Sequence, residues 1–513
     1  MQAGYVGYLR PKMLLRCNFN NIFMEKIISL LRRKTHAAAA IAVGALVFTS
    51  CAQDGFDDDE RFSSSVTNTT LEAPAAENIT IEASADGSQT IISWPVVHGA
   101  GGYICSVYDV SDVANPVVVD DVENKLVDGC ELVVTRTDDT NYRFSIKAAG
   151  NDAFNNKESE TATEVSFTTF TETYAAIPAG SDLTQWFASN LPASAEGELC
   201  FDLEAGADYQ MSGDVNLGNL QITLRTTSKA DPAKVTLTAD ASFVPANGFV
   251  LKYVNFDCSA SAKPFITMSS TPDEASKGAT GSGDYYNIMQ PITINGCEIS
   301  NLRSSLYTDN GVKYCAGTFL VTNSIVHFNI DGSGTIDEDA LINAYAGHIN
   351  NFTAQNSTMY NTGSATPKYV VRYNNSGRAD RAGYLSDYVN FRNCTFFHLN
   401  NDQFCNYDGL PGRASSNFTV TNNIFVDCGA IIARRIVGGR VGSASATFAN
   451  NTYMDADGSF QSTNGSCAGY DDSGSAIEED PGFKDAANGD FTVSGSEQIA
   501  RGTGDPRWLP ANQ

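Results

Sequence analysis

Basic residues, histidines and long apolar runs are all scarce in this sequence, and each shortage excludes something. Lys and Arg number 33 against 59 Asp and Glu, a net charge of −26. A surface so acidic repels nucleic acid and anionic lipid, so neither is expected as a partner. Only 5 histidines occur, and His98, His327, His348 and His398 have no metal or triad spacing. No C-x-x-C or Cys/His zinc pattern is present, nor any G-x-S-x-G, P-loop or H-E-x-x-H. The apolar run Ala37 to Phe48 is shorter than the ~20 residues a membrane-spanning helix needs. Long 3.6-residue periodicity rich in Ala, Leu and Glu is absent too, which excludes the helical repeat arrays.

What the chain does contain is a repeat. Val420-Thr421-Asn422-Asn423-Ile424-Phe425 shows its frame, an apolar residue, any residue, Asn, a small or amide residue, any residue, and an apolar residue. The same frame recurs around Asn323, Asn356, Asn393 and Asn450, and around Gly296 with Gly in the Asn place. The steps between these positions are 27, 33, 37, 29 and 28 residues. Apolar residues alternating about a polar pair suit short strands, because strand side chains alternate faces. Equivalent positions of stacked coils lie above one another, so Asn is expected to ladder its amide from coil to coil. Cys and Ser are expected to pack in register beside it. The reading is a parallel β-helix with loops of varying length. On the same grounds Cys297 and Cys394 are expected to be small buried residues, not ligands.

The N-terminal 50 residues read as processing, not fold. Met24-Glu25-Lys26, Arg32-Arg33-Lys34 and the apolar run form a charged region followed by a hydrophobic one. Phe48-Thr49-Ser50-Cys51 resembles the lipobox of bacterial lipoproteins, which implies that residues 1–50 are an upstream extension and signal peptide and that Cys51 is lipidated. In the linker 51–70, Asp57-Asp58-Asp59-Glu60 resembles the surface-export signal of Bacteroidota lipoproteins, implying an outer-membrane protein facing the exterior. Seven basic residues and one acidic residue precede Cys51, so the remainder carries 26 against 58.

Residues 71–170 contain alternating strands around Trp94, Tyr103–Tyr108 and Asn141–Ala148, and their spacing resembles a fibronectin type III domain. The resemblance makes Trp94 its core Trp and Tyr142 its tyrosine corner, and the expected role is a spacer. From 173 to 513 the solenoid is expected, capped by a helix near Ser181–Ala188 with Ser181 or Asp182 at its N-cap. Asp480–Phe491 and Gly504–Leu509 are expected to seal its far end. The expected class is therefore all-β, a sandwich followed by a β-helix. Together these features resemble the pectate-lyase-like right-handed β-helix lipoproteins of gut Bacteroidota, which are found beside glycan-degradation genes.

The longest step, between Asn356 and Asn393, concentrates cations and aromatics in an otherwise acidic chain. It holds Lys368, Tyr369, Arg372, Tyr373, Arg378, Arg381 and Tyr384, with Asp387 and Tyr388 after them; the next coils add Asp402, Tyr407, Asp408, Arg413, Arg434, Arg435 and Arg440. Guanidinium forks suit carboxylates and aromatic faces suit sugar rings, so a groove for uronate-containing polysaccharide is expected here. Non-catalytic binding within a glycan-uptake complex is the leading expectation. The alternative is a polysaccharide lyase with an Arg or Lys base, for which Arg372 and Arg378 are first candidates. A glycoside hydrolase is less favoured, because no acid pair stands out. No cofactor is expected. The one candidate calcium loop is Asn329, Asp331, Ser333 and Asp337, which imitates the start of an EF-hand but has Ala340 where its bidentate Glu should stand.

Overall fold

The computed structural model describes residues 66–84, 88–278, 284–373, 383–406, 416–429, 432, 445–461 and 471–510. Cys51 and the acidic run after it lie outside the described residues. The chain divides into two compact units, one built mainly from strands up to Phe167 and one from Thr168 onward that also takes in Asp109–Val117 and Thr137–Tyr142.

The first unit contains two antiparallel sheets. Thr80–Ala83, Gln89–Ser93 and Glu131–Thr135 form one; Tyr103–Asp109, Asn141–Ala148 and Thr163–Thr168 are the main strands of the other. Asn141–Ala148 alternates half-exposed and buried residues along its whole length, the period-two pattern of a strand with one face on a core. Trp94 is buried and packs against Tyr103 and Phe144 at centroid separations of 5.3 and 5.8 Å. The Tyr142 hydroxyl accepts from the Thr137 backbone N–H at 2.9 Å, tying the start of its strand to the preceding loop.

The second unit is wound from three parallel sheets. The first runs from Ala175–Ile177 through Ile292–Asn295, Tyr314–Thr322 and His348–Gln355 to Ser445–Ala449. Among the described residues the second holds nine strands, from Asp208–Met211 to Thr452–Met454, and the third seven, from Val215–Gly218 to Cys405–Asn406. For most of its length the chain moves from one sheet to the next strand by strand, and the strands of each sheet pair in parallel across neighbouring coils, as in a parallel β-helix. Inside, one continuous core stacks apolar residues in register: Phe319, Phe352, Val389 and Phe418 occupy the same position on successive coils. The Phe396 and Phe425 rings lie 5.0 Å apart and nearly parallel, and Phe391 meets Phe396 edge to face at 5.7 Å. Such pairs add about 0.5–1.5 kcal/mol each beyond the area they bury.

The Asn repeat is the turn from the first sheet to the second. Asn323, Asn356, Asn393, Asn422 and Asn450 all have φ between 49° and 57°, and Gly296 has 64°. That left-handed conformation costs most side chains energy, and Asn and Gly tolerate it best. Each Asn Nδ2 donates to the amide oxygen one coil earlier: Asn356 to Asn323 at 3.2 Å, Asn393 to Asn356 at 3.2 Å, Asn422 to Asn393 at 3.1 Å and Asn450 to Asn422 at 3.0 Å. The next position is the buried one. There the Cys297, Ser324 and Cys394 backbone N–H groups donate to Ser324 Oγ, Ser357 Oγ and Asn423 Oδ1.

Helix Leu183–Asn190 stands at the start of the solenoid, with Asp182 accepting from the Thr184 N–H at 3.0 Å and Phe187 packed on Phe201 at 5.1 Å. The C-terminal segment lies along the outer face of the second sheet. Phe491 packs on Tyr360 and Phe397, and Trp508 Nε1 donates to Thr358 Oγ1 at 2.8 Å. Asp505 accepts from the same hydroxyl at 2.8 Å, and the Gly504 N–H reaches the Asn422 carbonyl.

Candidate functional site

Strand Tyr369–Tyr373 lies in the third sheet between Ala340–Ala344 and Cys405–Asn406. Strand alternation sends Val371 and Tyr373 into the core and turns Arg372 outward, in a row with Thr308, Asn343 and Asn406. Its guanidinium is held on several sides. Nη1 donates to the Glu338 carbonyl at 2.6 Å and lies 2.9 Å from the Glu338 carboxylate. The guanidinium carbon sits 4.4 Å from the Tyr345 ring centroid and 5.2 Å from that of Tyr369. Nε is covered and has no acceptor among the described residues. Beside this stack, Lys368 Nζ lies 2.7 Å from Asp339, and that hydrogen bond raises the Lys368 pKa.

The partner acids come from one short turn, Asp337–Asp339. Glu338 and Asp339 are both left-handed, with φ of 51° and 56°, which is unusual for two consecutive non-glycine residues. Asp337 turns the other way and accepts from the Thr308 hydroxyl and, at 2.9 Å, from Asn343 Nδ2. The result is a fixed cation between two rings, with Tyr345 36 % exposed. Contact of guanidinium and ring faces of this kind is worth about 0.5–2 kcal/mol. A guanidinium so engaged is a positioned charge.

The expected cluster is thus gathered in part. Lys368, Tyr369 and Arg372 share one surface. Tyr373 does not: it faces the core, its ring 5.6 Å from His348, and burial holds its hydroxyl pKa well above the ordinary value. Tyr384 packs inward against Tyr285 and Cys315, and burial raises its pKa as well. Both corrections have one cause. Composition picks out tyrosines but not their facing: alternation turns Tyr373 to the core, and packing on Tyr285 and Cys315 covers Tyr384. Asp387 is also buried, 2.7 Å from His348 Nε2, with each side chain 1 % exposed. Arg378, Arg381, Tyr407, Asp408, Arg413, Arg434, Arg435 and Arg440 lie outside the described residues.

The EF-hand-like stretch does not converge on a point. Asp331 closes its own turn by accepting from the Ser333 N–H and hydroxyl, while Asp337 serves the ladder row just described. Among the described residues, no group of three or more His, Cys, Asp or Glu side chains is arranged to hold a metal ion.

Sequence reasoning missed Tyr345, Glu338 and Asp339. They stand 27 to 34 residues before Arg372, and only the register Asn343 to Arg372 brings them to it. It also missed a cleft of about 440 Å³ on the outer face of the second sheet, lined in part by Lys229, Tyr253, Asn255, Glu298, Asn323 and Arg507.

Three family models match the chain, each described as a domain of unknown function, over residues 24–207, 207–362 and 389–508. No curated protein matches it. Among solved structures it is similar to pectate lyase Pel3 from Pectobacterium carotovorum, at 14% identity, covering 73% of this chain and 85% of that one, with a TM-score of 0.13. A likeness that slight carries no argument.

Proposed function

We propose that this protein is a non-catalytic, surface-tethered polysaccharide-binding protein that prefers uronate-containing glycans such as pectin. In this reading Cys51 carries the lipid that anchors the chain to the outer membrane, facing outward. The sandwich is a fibronectin type III spacer, a reading supported by the packing of Trp94 and the bond from Thr137 to Tyr142. The solenoid, read as a right-handed β-helix, then presents the glycan surface to a glycan-uptake complex.

The observation that carries the reading is the Tyr345–Arg372–Tyr369 stack. Aromatic faces take sugar rings, and a guanidinium fixed before the ligand arrives loses little entropy on meeting a carboxylate. Glu338 occupies Nη1 and Nε is covered, so Nη2 is the donor offered to a ligand. The same immobilisation argues against Arg372 as the base of a lyase.

Affinity electrophoresis through gels containing pectic polysaccharide or a neutral glucan tests this directly. Retardation in the pectic gel, without new absorbance from unsaturated uronates in a parallel incubation, is the expected result. Unsaturated product would overturn the binding-only reading in favour of a lyase. Equal mobility in both gels and in a glycan-free gel would overturn the glycan reading altogether.

A further inference from the structure

The Asn ladder stops where the cleft on the second sheet opens. At Gly296 the ladder residue has no side chain, and Asn323 Nδ2 donates instead to Asn295 Oδ1 at 3.0 Å. The reason is one coil earlier. Tyr253 occupies the same turn with φ 57°, a costly conformation for a bulky residue. Its ring lies across Gly296, so that a Cβ there would meet Tyr253 Cδ1 at 2.5 Å. Tyr253 thereby becomes a wall of the cleft, and Lys229 Nζ rests 5.5 Å from its ring centroid.

The charges of this cleft differ from those of the chain as a whole. Lys229 is exposed and has no carboxylate within ion-pair distance among the described residues. Arg507 stands at the cleft, where Nη2 donates to the Asn323 carbonyl at 2.9 Å, which fixes the side chain. Its other anchor is Asp505, 3.3 Å from Nε. Against these two cations, Arg507 already paired with Asp505, the lining among the described residues offers the Glu298 carboxylate and the amides of Asn255 and Asn323. The outer face of the later coils is filled by the C-terminal segment, with Thr358 bonded to Asp505 and Trp508. The earlier coils leave the face open, and the volume of about 440 Å³ falls in the range of small-molecule sites.

We infer that this cleft is a second binding site for a carboxylated sugar unit, with Lys229 and Arg507 taking the carboxylate and Asn255, Asn323 and Glu298 the hydroxyls. It rests on the glycan-binding reading and extends it to a separate face of the solenoid. Glu298 is an acceptor for hydroxyls but repels the carboxylate, so its replacement changes affinity in the opposite direction to that of Lys229.

Isothermal titration of the full chain with trigalacturonate and with a neutral galactose trimer is the test. Lys229 and Glu298 are both exposed, so their substitution leaves the core intact. Lys229→Gln is expected to weaken trigalacturonate about tenfold, the size of one charged hydrogen bond. Glu298→Gln is expected to tighten it about two- to threefold, as removal of a screened like charge does, and neither change should alter the neutral trimer comparably. If the wild-type chain binds trigalacturonate and both variants match it, the cleft is not a site, while the Arg372 surface stands. If the wild-type chain binds neither trimer, the glycan-binding reading fails together with this one.

Discussion

The ring of Tyr253 lies over Gly296, close enough that a side chain on residue 296 would strike it at Cδ1. The glycine is therefore a consequence of its neighbour in space, not a lapse in the repeat. Gly296→Asn would restore the repeat and suits the left-handed turn, yet is expected to lower stability by about 1–3 kcal/mol through overpacking. In a Tyr253→Gly background the same change should cost far less. Urea midpoints for the four proteins measure this, and additive effects would remove the steric explanation.

Asn393 separates two contributions at the repeat. It donates to Asn356 and accepts from Asn422, and its φ is 52°. Asn393→Gly keeps the backbone conformation and loses the two bonds, at about 1–2 kcal/mol in all. Asn393→Ala adds the strain of a left-handed alanine, about 1–2 kcal/mol more. Equal unfolding free energies for the two variants would show that backbone conformation is not what selects Asn here.

The solenoid was legible because its cause is local. Each turn requires a left-handed residue, and each coil must meet that need again, so Asn returns at every step. The Tyr–Arg–Tyr surface was only partly legible, because Tyr345 and Arg372 become neighbours through strand register. Arg372 and Tyr373 fall on opposite faces by strand alternation, but which face is the core is set by the stacking of coils, so composition alone grouped them together. Gly296 looked like an imperfect repeat until the ring of Tyr253 supplied its reason.

Asp309 gives the protein a pH dependence of definite sign. Its carboxyl is buried and, although the Gly311, Ala346 and Gly347 N–H groups donate to it, burial dominates and pushes its pKa up to about 7. A carboxyl raised in the folded state stabilises fully below its unfolded pKa. That contribution falls as pH rises from about 4 towards 7, where the unfolded chain has already released the proton. Stability is expected to decline over this window and to decline less in Asp309→Asn. Parallel pH profiles for the two proteins would refute the assignment.

The cysteines should divide by burial. Of the nine described, all but the half-buried Cys130 are buried. Burial raises the thiol pKa of Cys297 and of Cys428 to about 12, leaving about one thiolate in ten thousand at pH 8. A thiol reagent applied to the folded protein should label Cys130 well before any of the other eight, as peptide mapping would show. Rapid labelling of Cys297 or Cys394 would contradict their place inside the wall.

The most direct test of the central claim is an equilibrium titration of the intact chain with oligogalacturonate, repeated for Arg372→Gln and Tyr345→Ala. Product absorbance should be followed in the same samples. Binding without unsaturated product is expected, weakened about tenfold by either substitution, the size expected for loss of a charged hydrogen bond or a desolvated cation–ring contact. Binding that is indifferent to both changes, or the appearance of unsaturated uronate, would contradict it.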